Sequence, residues 1–367
     1  MNSLFPILRY FFLLFFAALL SSCQVPKGSK TMTKGLKDYS DFPVGGAFKI
    51  MPALKDKKLL GIIRKDFSSI TSSNDMKMYS FASREGVYNW EKGDSLVALG
   101  IRNKQRIFGH TLVWHLGLPQ WISENGITFG PTWVDSFLHK YIHDVVGRYK
   151  GKVAAWDVVN EAFETAGGAY RKTFWYEQLG QDYIAKAFRY AHEADPDAVL
   201  FYNDFNIERD TAKLHGVLQM IQELQAAGVP ISGLGFQMHL RMDIPNEVIA
   251  YSLEEAAKTG LQIHLSEVDI IFNTHNDAKG GGKQLYTKLT EEMALAQKEK
   301  YKQLVLMYRK YVPRNQQYGI TFWNFNDRDT WIKRFFNIED WPTVYDEKLE
   351  PKPAYEGFIE GLNFKLQ

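Results

Sequence analysis

The stretch AAWDVVNEAFE, residues 154–164, begins as a strand covered on both faces and ends on an amide and a carboxylate. Ala154, Ala155, Trp156, Val158 and Val159 have the apolar, partly β-branched character of a buried parallel strand. Asn160 and Glu161 do not, because a buried acid without a partner costs several kcal/mol or gives up its charge. A strand that delivers an acid to its end implies a place where strand ends gather, and a second group for that acid to work with.

Seven further apolar runs surround this one: VGGAF (44–48), FSSITS (67–72), RIFGHTLVW (106–114), AVLFYNDF (198–205), ISGLGFQMH (231–239), LQIHLSEVDI (261–270) and QYGITFWNF (317–325). Segments with helical periodicity lie between them, such as TWVDSFLHKYIHDVVGRY (132–149) and DYIAKAFRYAHEA (182–194). Eight strands alternating with helices predict a single α/β domain folded as a closed (β/α)8 TIM barrel, with a doubly wound open sheet as the competing architecture. A barrel gathers its functional groups at the C-terminal strand ends. Most of these runs do end in polar or aromatic residues: NE, YND, QMH, SEVD and FWNFND.

The chain of 367 residues is 45% hydrophobic, enough for one large domain, and its net charge of +2 argues against a nucleic-acid or acidic-polymer partner. The 9 Trp and 19 Tyr suit both core packing and stacking on sugar or base faces. At the start, MNSLFPILRYFFLLFFAALLSSC has one early cation, an apolar run and small residues before Cys23, the only cysteine. That layout predicts a lipoprotein signal peptide over 1–22, with Cys23 as the lipid attachment site. Residues 23–40 read as a lysine-bearing tether and 41–367 as the folded domain. The protein is therefore expected on the bacterial cell envelope, anchored to a membrane through lipid, periplasmic or surface-exposed, and monomeric.

A partner for Glu161 stands in LSEVDI, where Glu267 ends another apolar run and Asp269 shares its strand face. Two strand-end carboxylates across a barrel mouth are the equipment of glycoside hydrolysis. The order of GHTLVWH (109–115), LPQW, WDVVNE (156–161), YNDFN (202–206), GLGFQMHL (233–240), SEVDI (266–270), GITFWNFND (319–327) and KPAY (352–355) strongly resembles glycoside hydrolase family 10, the retaining endo-β-1,4-xylanases. The resemblance runs from about residue 41 to about 360. It implies the (β/α)8 barrel, a xylan or related β-glycan substrate, Glu161 as acid/base and Glu267 as nucleophile. Retaining enzymes hold such a pair about 5–5.5 Å apart, one protonated while the other is ionised.

The same resemblance makes Asn160 a donor to the sugar 2-hydroxyl, and His239 with Asp269 the pair that orients Glu267. Gln237 falls on the strand face of His239. Asn74, Lys77 and His110 match glycone-side sugar contacts. Trp114, Trp323 and Trp331 match aromatic walls, and Phe205 stands where the aglycone side often has a tyrosine. No metal and no cofactor are expected, since strand alternation puts His110 and His115 on opposite faces.

Departures from the family pattern concentrate on one subsite. Ser73 replaces a glutamate and Gly117 a glutamine that serve the second glycone sugar, Met78 replaces a tryptophan, and Asn324 a glycine. Losing two contacts of about 1–3 kcal/mol should weaken that subsite about tenfold or more. The loops TAGGAYRKT (165–173) and NTHNDAKGGGKQLYTK (273–288) are expected on the catalytic face, the second either covering part of the cleft or serving as a flexible connector. Three readings remain open: hydrolysis of plain β-1,4-xylan, the same chemistry on a decorated or mixed-linkage xylan or other β-glycan, and a glycan-binding lipoprotein without activity. Retention of Glu161, Glu267, Asn160 and His239 argues against the last.

Overall fold

The structure is a computed structural model and describes residues 34–275 and 282–365. Eight parallel strands form its centre: β1 (Val44–Phe48), β2 (Ser69–Ser72), β3 (Arg106–Trp114), β4 (Ala155–Asn160), β5 (Val199–Asp204), β6 (Gly233–Phe236), β7 (Gln262–Ile271) and β8 (Gln317–Trp323). Each pairs with its neighbours in chain order, and β8 pairs with both β7 and β1, which closes the sheet into a barrel. The open-sheet alternative is thereby excluded. The strands are buried along almost their whole length because side chains fill the barrel inside and helices cover it outside.

The lower interior is an aromatic layer of Phe108, Phe201 and Tyr318 packed around Ala155, with the His264 ring 4.7 Å from that of Phe108. Gly109 is required next to it, because a Cβ there would lie 2.1 Å from the Trp156 ring on β4. Around the outside, helix Pro131–Arg148 turns Val134, Leu138, Ile142 and Val145 inward at helical spacing. Helix Lys57–Asp66 is capped by Asp56, whose carboxylate accepts the Leu59 N–H at 3.0 Å.

Two boundaries differ from expectation. The last part of the supposed tether, Leu36–Tyr39, forms a 3-10 turn with Leu36 fully buried and its N–H on Asp66. An apolar side chain in a lysine-rich stretch was enough to dock it, so the domain begins before residue 41. The sixth run is broken into β6 and a short strand His239–Arg241, because Met238 between them takes φ 58°. The expected signal peptide and Cys23 lie outside the described residues.

Candidate active site

A cleft of ≈550 Å³ opens over the C-terminal ends of the strands, and all eight strands or the residues just after them line it. Every sequence-predicted binding or catalytic residue except Asp269 lines it directly, and Asp269 touches two that do. Register shifts at His110/Val113 between β3 and β4, and at Asp157/Val159 between β4 and β5, re-aim the side chains at this rim. The alternation expected for His110 and His115 fails for that reason. The register slips after His110, His115 starts a 3-10 turn, and both rings face the cleft.

Glu161 is the first residue past β4 and holds φ 60°, an uncommon conformation for a side-chain-bearing residue. It is locked there by its N–H on the Asn203 carbonyl at 2.9 Å and by Arg171, whose Nε donates to the Glu161 carbonyl at 3.3 Å. Its carboxylate accepts from the amides of Asn160 and Gln237, both at 3.0 Å. The Asn160 oxygen in turn accepts from Asn203 at 2.8 Å, and Asn203 also donates to Glu267 at 2.9 Å. Glu161 and Glu267 are therefore joined through two amide side chains.

Glu267 is buried, and burial works against its charge. His110, His239 and Lys77 outweigh that penalty and hold the carboxyl below the usual glutamate range. His239 Nε2 lies 3.6 Å from Glu267 Oε2, while its Nδ1 is 2.9 Å from Asp269. Burial opposes the imidazolium too, yet Asp269 and then Glu267 push its pKa up to about 10. Trp331 fixes the relay, donating its indole N–H to the same Asp269 oxygen at 2.8 Å with its ring 4.8 Å from His239.

The other wall is cationic and aromatic. Lys77 lies 4.4 Å above the Trp114 ring and 3.3 Å from Asn74. Burial lowers its pKa while Glu267, Glu161 and Asp157 oppose the fall. His110 is held by Asp157 at 2.8 Å and meets Trp323 edge-on at 5.1 Å. Phe205 rests on the Lys213 ammonium at 4.0 Å, which is paired with Asp204 at 2.7 Å and fully buried. In chemical terms, the site offers an ionised carboxylate, a second carboxylate held by neutral amides, and rings for a flat ligand face.

Residues 34–361 match the model of Glycosyl hydrolase family 10. The chain belongs to that family. It is 34% identical over 355 residues to Endo-1,4-beta-xylanase B of Thermotoga neapolitana, covering 95% of this chain and 97% of that one. It is 35% identical over 353 residues to Endo-1,4-beta-xylanase A of Cellvibrio japonicus, covering 90% of this chain but only 56% of that longer protein. A mutant of xylanase 10C from Cellvibrio japonicus in complex with xylopentaose superposes with a TM-score of 0.83 at 32% identity, covering 90% and 69% of the two chains.

Within this family-10 site, sequence reasoning missed Asn203, Lys49, Arg171, Arg334 and Phe335. Asn203 is the important omission: it is fully buried and donates toward both halves of the site. The polar pair inside VLFYND was its signal. Arg334 and Phe335 sit on helix Trp331–Phe336, where WIKRFF reads as an ordinary amphipathic turn. Of the two suggestive loops, Thr165 and Arg171 of the first line the cleft, whereas no described residue of 273–288 does. Thr274–His275 pairs with Gly282–Lys283 as a small ribbon, and Asn273 is hydrogen-bonded to Leu285, Tyr286 and Glu339.

Proposed function

We propose that this family-10 glycoside hydrolase is a retaining, endo-acting β-1,4-xylanase in which Glu267 is the nucleophile and Glu161 the acid/base. The observation that carries the assignment is the asymmetry of the two carboxylates: the His110 and His239 rings stand against Glu267, whereas the amides of Asn160 and Gln237 hold Glu161. In the first step Glu267 attacks the anomeric carbon, the glycosidic C–O bond breaks, and the departing oxygen takes the proton of Glu161. Esterified Glu267 is neutral, so Glu161 can then remove a proton from water, which attacks the same carbon and releases Glu267 as the carboxylate. Asn160 keeps one amide hydrogen for the sugar 2-hydroxyl while the other serves Glu161. The relatives named as endo-1,4-β-xylanases support the substrate class.

A second reading, a decorated xylan, is favoured by the glycone end of the cleft. Ser73 leaves its buried hydroxyl without a partner there. Lys49 and Arg334 also line the cleft and make no ion pair among the described residues. Two unneutralised cations and a stripped subsite suit a chain bearing an acidic substituent. We also place the enzyme on the cell envelope through Cys23.

Product analysis on linear β-1,4-xylan, mixed-linkage xylan and glucuronoxylan, with Glu267→Ala as control, tests these readings. Cleavage of the linear chain that the variant abolishes supports the first. Activity confined to glucuronoxylan supports the second. Glycan binding without cleavage of any of them would refute both.

A further inference from the structure

On two of the helices that cover the barrel, three metal-ligating side chains converge, and none of them lines the cleft. His139 and His143 stand one turn apart on helix Pro131–Arg148, and Glu193 comes from helix Tyr183–Ala194. Glu193 Oε2 is 3.4 Å from His139 Nε2 and 3.5 Å from His143 Nε2, and all three ligand atoms lie within 4.8 Å of one another. A tetrahedral zinc ion with bonds of about 2.0–2.2 Å separates its ligand atoms by roughly 3.3–3.5 Å. The two Glu–His spacings already have that size without any ion to draw them in.

We propose that His139, His143 and Glu193 form a divalent transition-metal site, best suited to Zn2+, that staples these two outer helices together. Two imidazoles and a carboxylate with a fourth position left to water is a ligand set zinc accepts, and the i, i+4 spacing puts both rings on one helix face. The rings lie 4.6 Å apart, and the edge of His139 meets the Tyr190 ring at 4.6 Å and 90°. Tyr190 is itself fixed, donating its hydroxyl to Asp135 at 2.8 Å, while Lys186 pairs with the other Asp135 oxygen at 2.6 Å. The helices are thus already joined next to the cluster, so little order must be gained on binding. The Nε2 of His143 is enclosed and makes no hydrogen bond. Nothing in the expected hydrolysis uses these groups. The two helices flank β4, the strand that presents Asn160 and Glu161, so the ion would stiffen the frame of the site without touching it.

The test is calorimetric titration of the untagged, metal-stripped protein with ZnCl2, followed by thermal unfolding with and without the ion, on wild type and on His143→Ala. One Zn2+ should bind per chain. Removing a ligand must cost at least the roughly 10–100-fold that loss of an outer-shell partner costs. At a hundredfold excess over Kd the wild-type midpoint should rise by roughly 4 °C and that of the variant should not move. Co2+ should give the intense visible bands of a tetrahedral site in the wild type only. His139→Ala, tested alongside, must also lose the metal-dependent rise, each variant being compared with its own metal-free midpoint. Absence of saturable one-to-one binding, or undiminished affinity and stabilisation in either variant, would overturn the proposal.

Discussion

Replacing His239 by Asn should move the acidic limb of the pH–activity profile upward. The nucleophile must be ionised, so activity is lost as pH falls through the pKa of Glu267, which His110, His239 and Lys77 hold low against burial. Over the 3.6 Å between His239 Nε2 and Glu267 Oε2, Coulomb's law gives about 4.6 kcal/mol at an effective dielectric of about 20. That would be about 3 pH units, an upper figure, because His110 and Lys77 still act on Glu267 and water enters the vacated space. Opposite charges at this range usually shift a pKa by about 1–3 units. The limb of kcat/KM should therefore rise by about 1–3 pH units in His239→Asn. Asp269→Asn should leave that limb nearly in place, because His239, pushed up to about 10, stays cationic at acidic pH even after losing a partner worth about 1–3 units. The measurement is kcat/KM against pH on an aryl β-xylobioside, for which substrate ionisation does not intrude. A limb that stays in place while kcat collapses would show that His239 positions without charging, and the electrostatic argument would be wrong.

Three further outcomes follow from other parts of the molecule. Ser73→Glu with Gly117→Gln should tighten the glycone end for linear xylo-oligosaccharides by about tenfold or more, read as KM by chain length; a Cβ at Gly117 meets only Trp114, at 3.4 and 3.6 Å, so the site has room. Glu208 is buried with both carboxyl oxygens unpartnered, and burial pushes its pKa up to about 7. An acid whose folded pKa is raised costs nothing below its unfolded pKa near 4.3 and its full penalty above pH 7. Glu208→Gln should therefore stabilise the protein by on the order of 3 kcal/mol at pH 8 but not at pH 4, and an equal variant-minus-wild-type difference in stability at both pH values would contradict this. Cys23→Ala should shift the protein from the membrane to the soluble fraction; an unchanged partition would remove the lipid-anchor proposal.

The barrel was legible because each strand is a separate apolar run, and period-2 and period-3.6 patterns alternate eight times. Strand ends were less so. The reading that set His110 and His115 on opposite faces assumed unbroken pleating, and the slip after His110 is a property of pairing with β4 that no single strand encodes. Gly109, by contrast, is explained only by Trp156 on the neighbouring strand. Asn203 was overlooked for a related reason. A polar residue inside an apolar strand declares itself only when the residues it must satisfy, here Asn160 and Glu267 from two other strands, are known to surround it. Asn324 illustrates the reverse case: the left-handed φ of 49° explains why a glycine usually stands there and why asparagine, among side-chain-bearing residues, can replace it.

The proposed division of labour between the two glutamates rests on how these strand ends sort charge. Asn203 donates through one amide to both Asn160 and Glu267, and its own oxygen accepts the Ser266 hydroxyl at 2.6 Å, so it can neither rotate nor trade partners cheaply. That fixed amide separates two environments. On one side His239 sits between Asp269 and Glu267 with Lys77 across the cleft, which favours a negative carboxylate. On the other, the carboxylate of Glu161 accepts the N–H groups of Asn160 and Gln237, with no imidazole hydrogen-bonded to it. A nucleophile needs a permanent charge until it is consumed, and an acid/base needs to change charge twice per turnover. Exchanging the two environments would leave the acid unable to hold a proton beside the histidinium. For this reason Glu161→Gln should spare the first chemical step on substrates with excellent leaving groups, whereas Glu267→Gln should abolish it for every leaving group. Comparing aryl glycosides of graded leaving-group acidity separates the roles, and a Glu267 variant that retained activity on the best of them would show that the assignment is reversed.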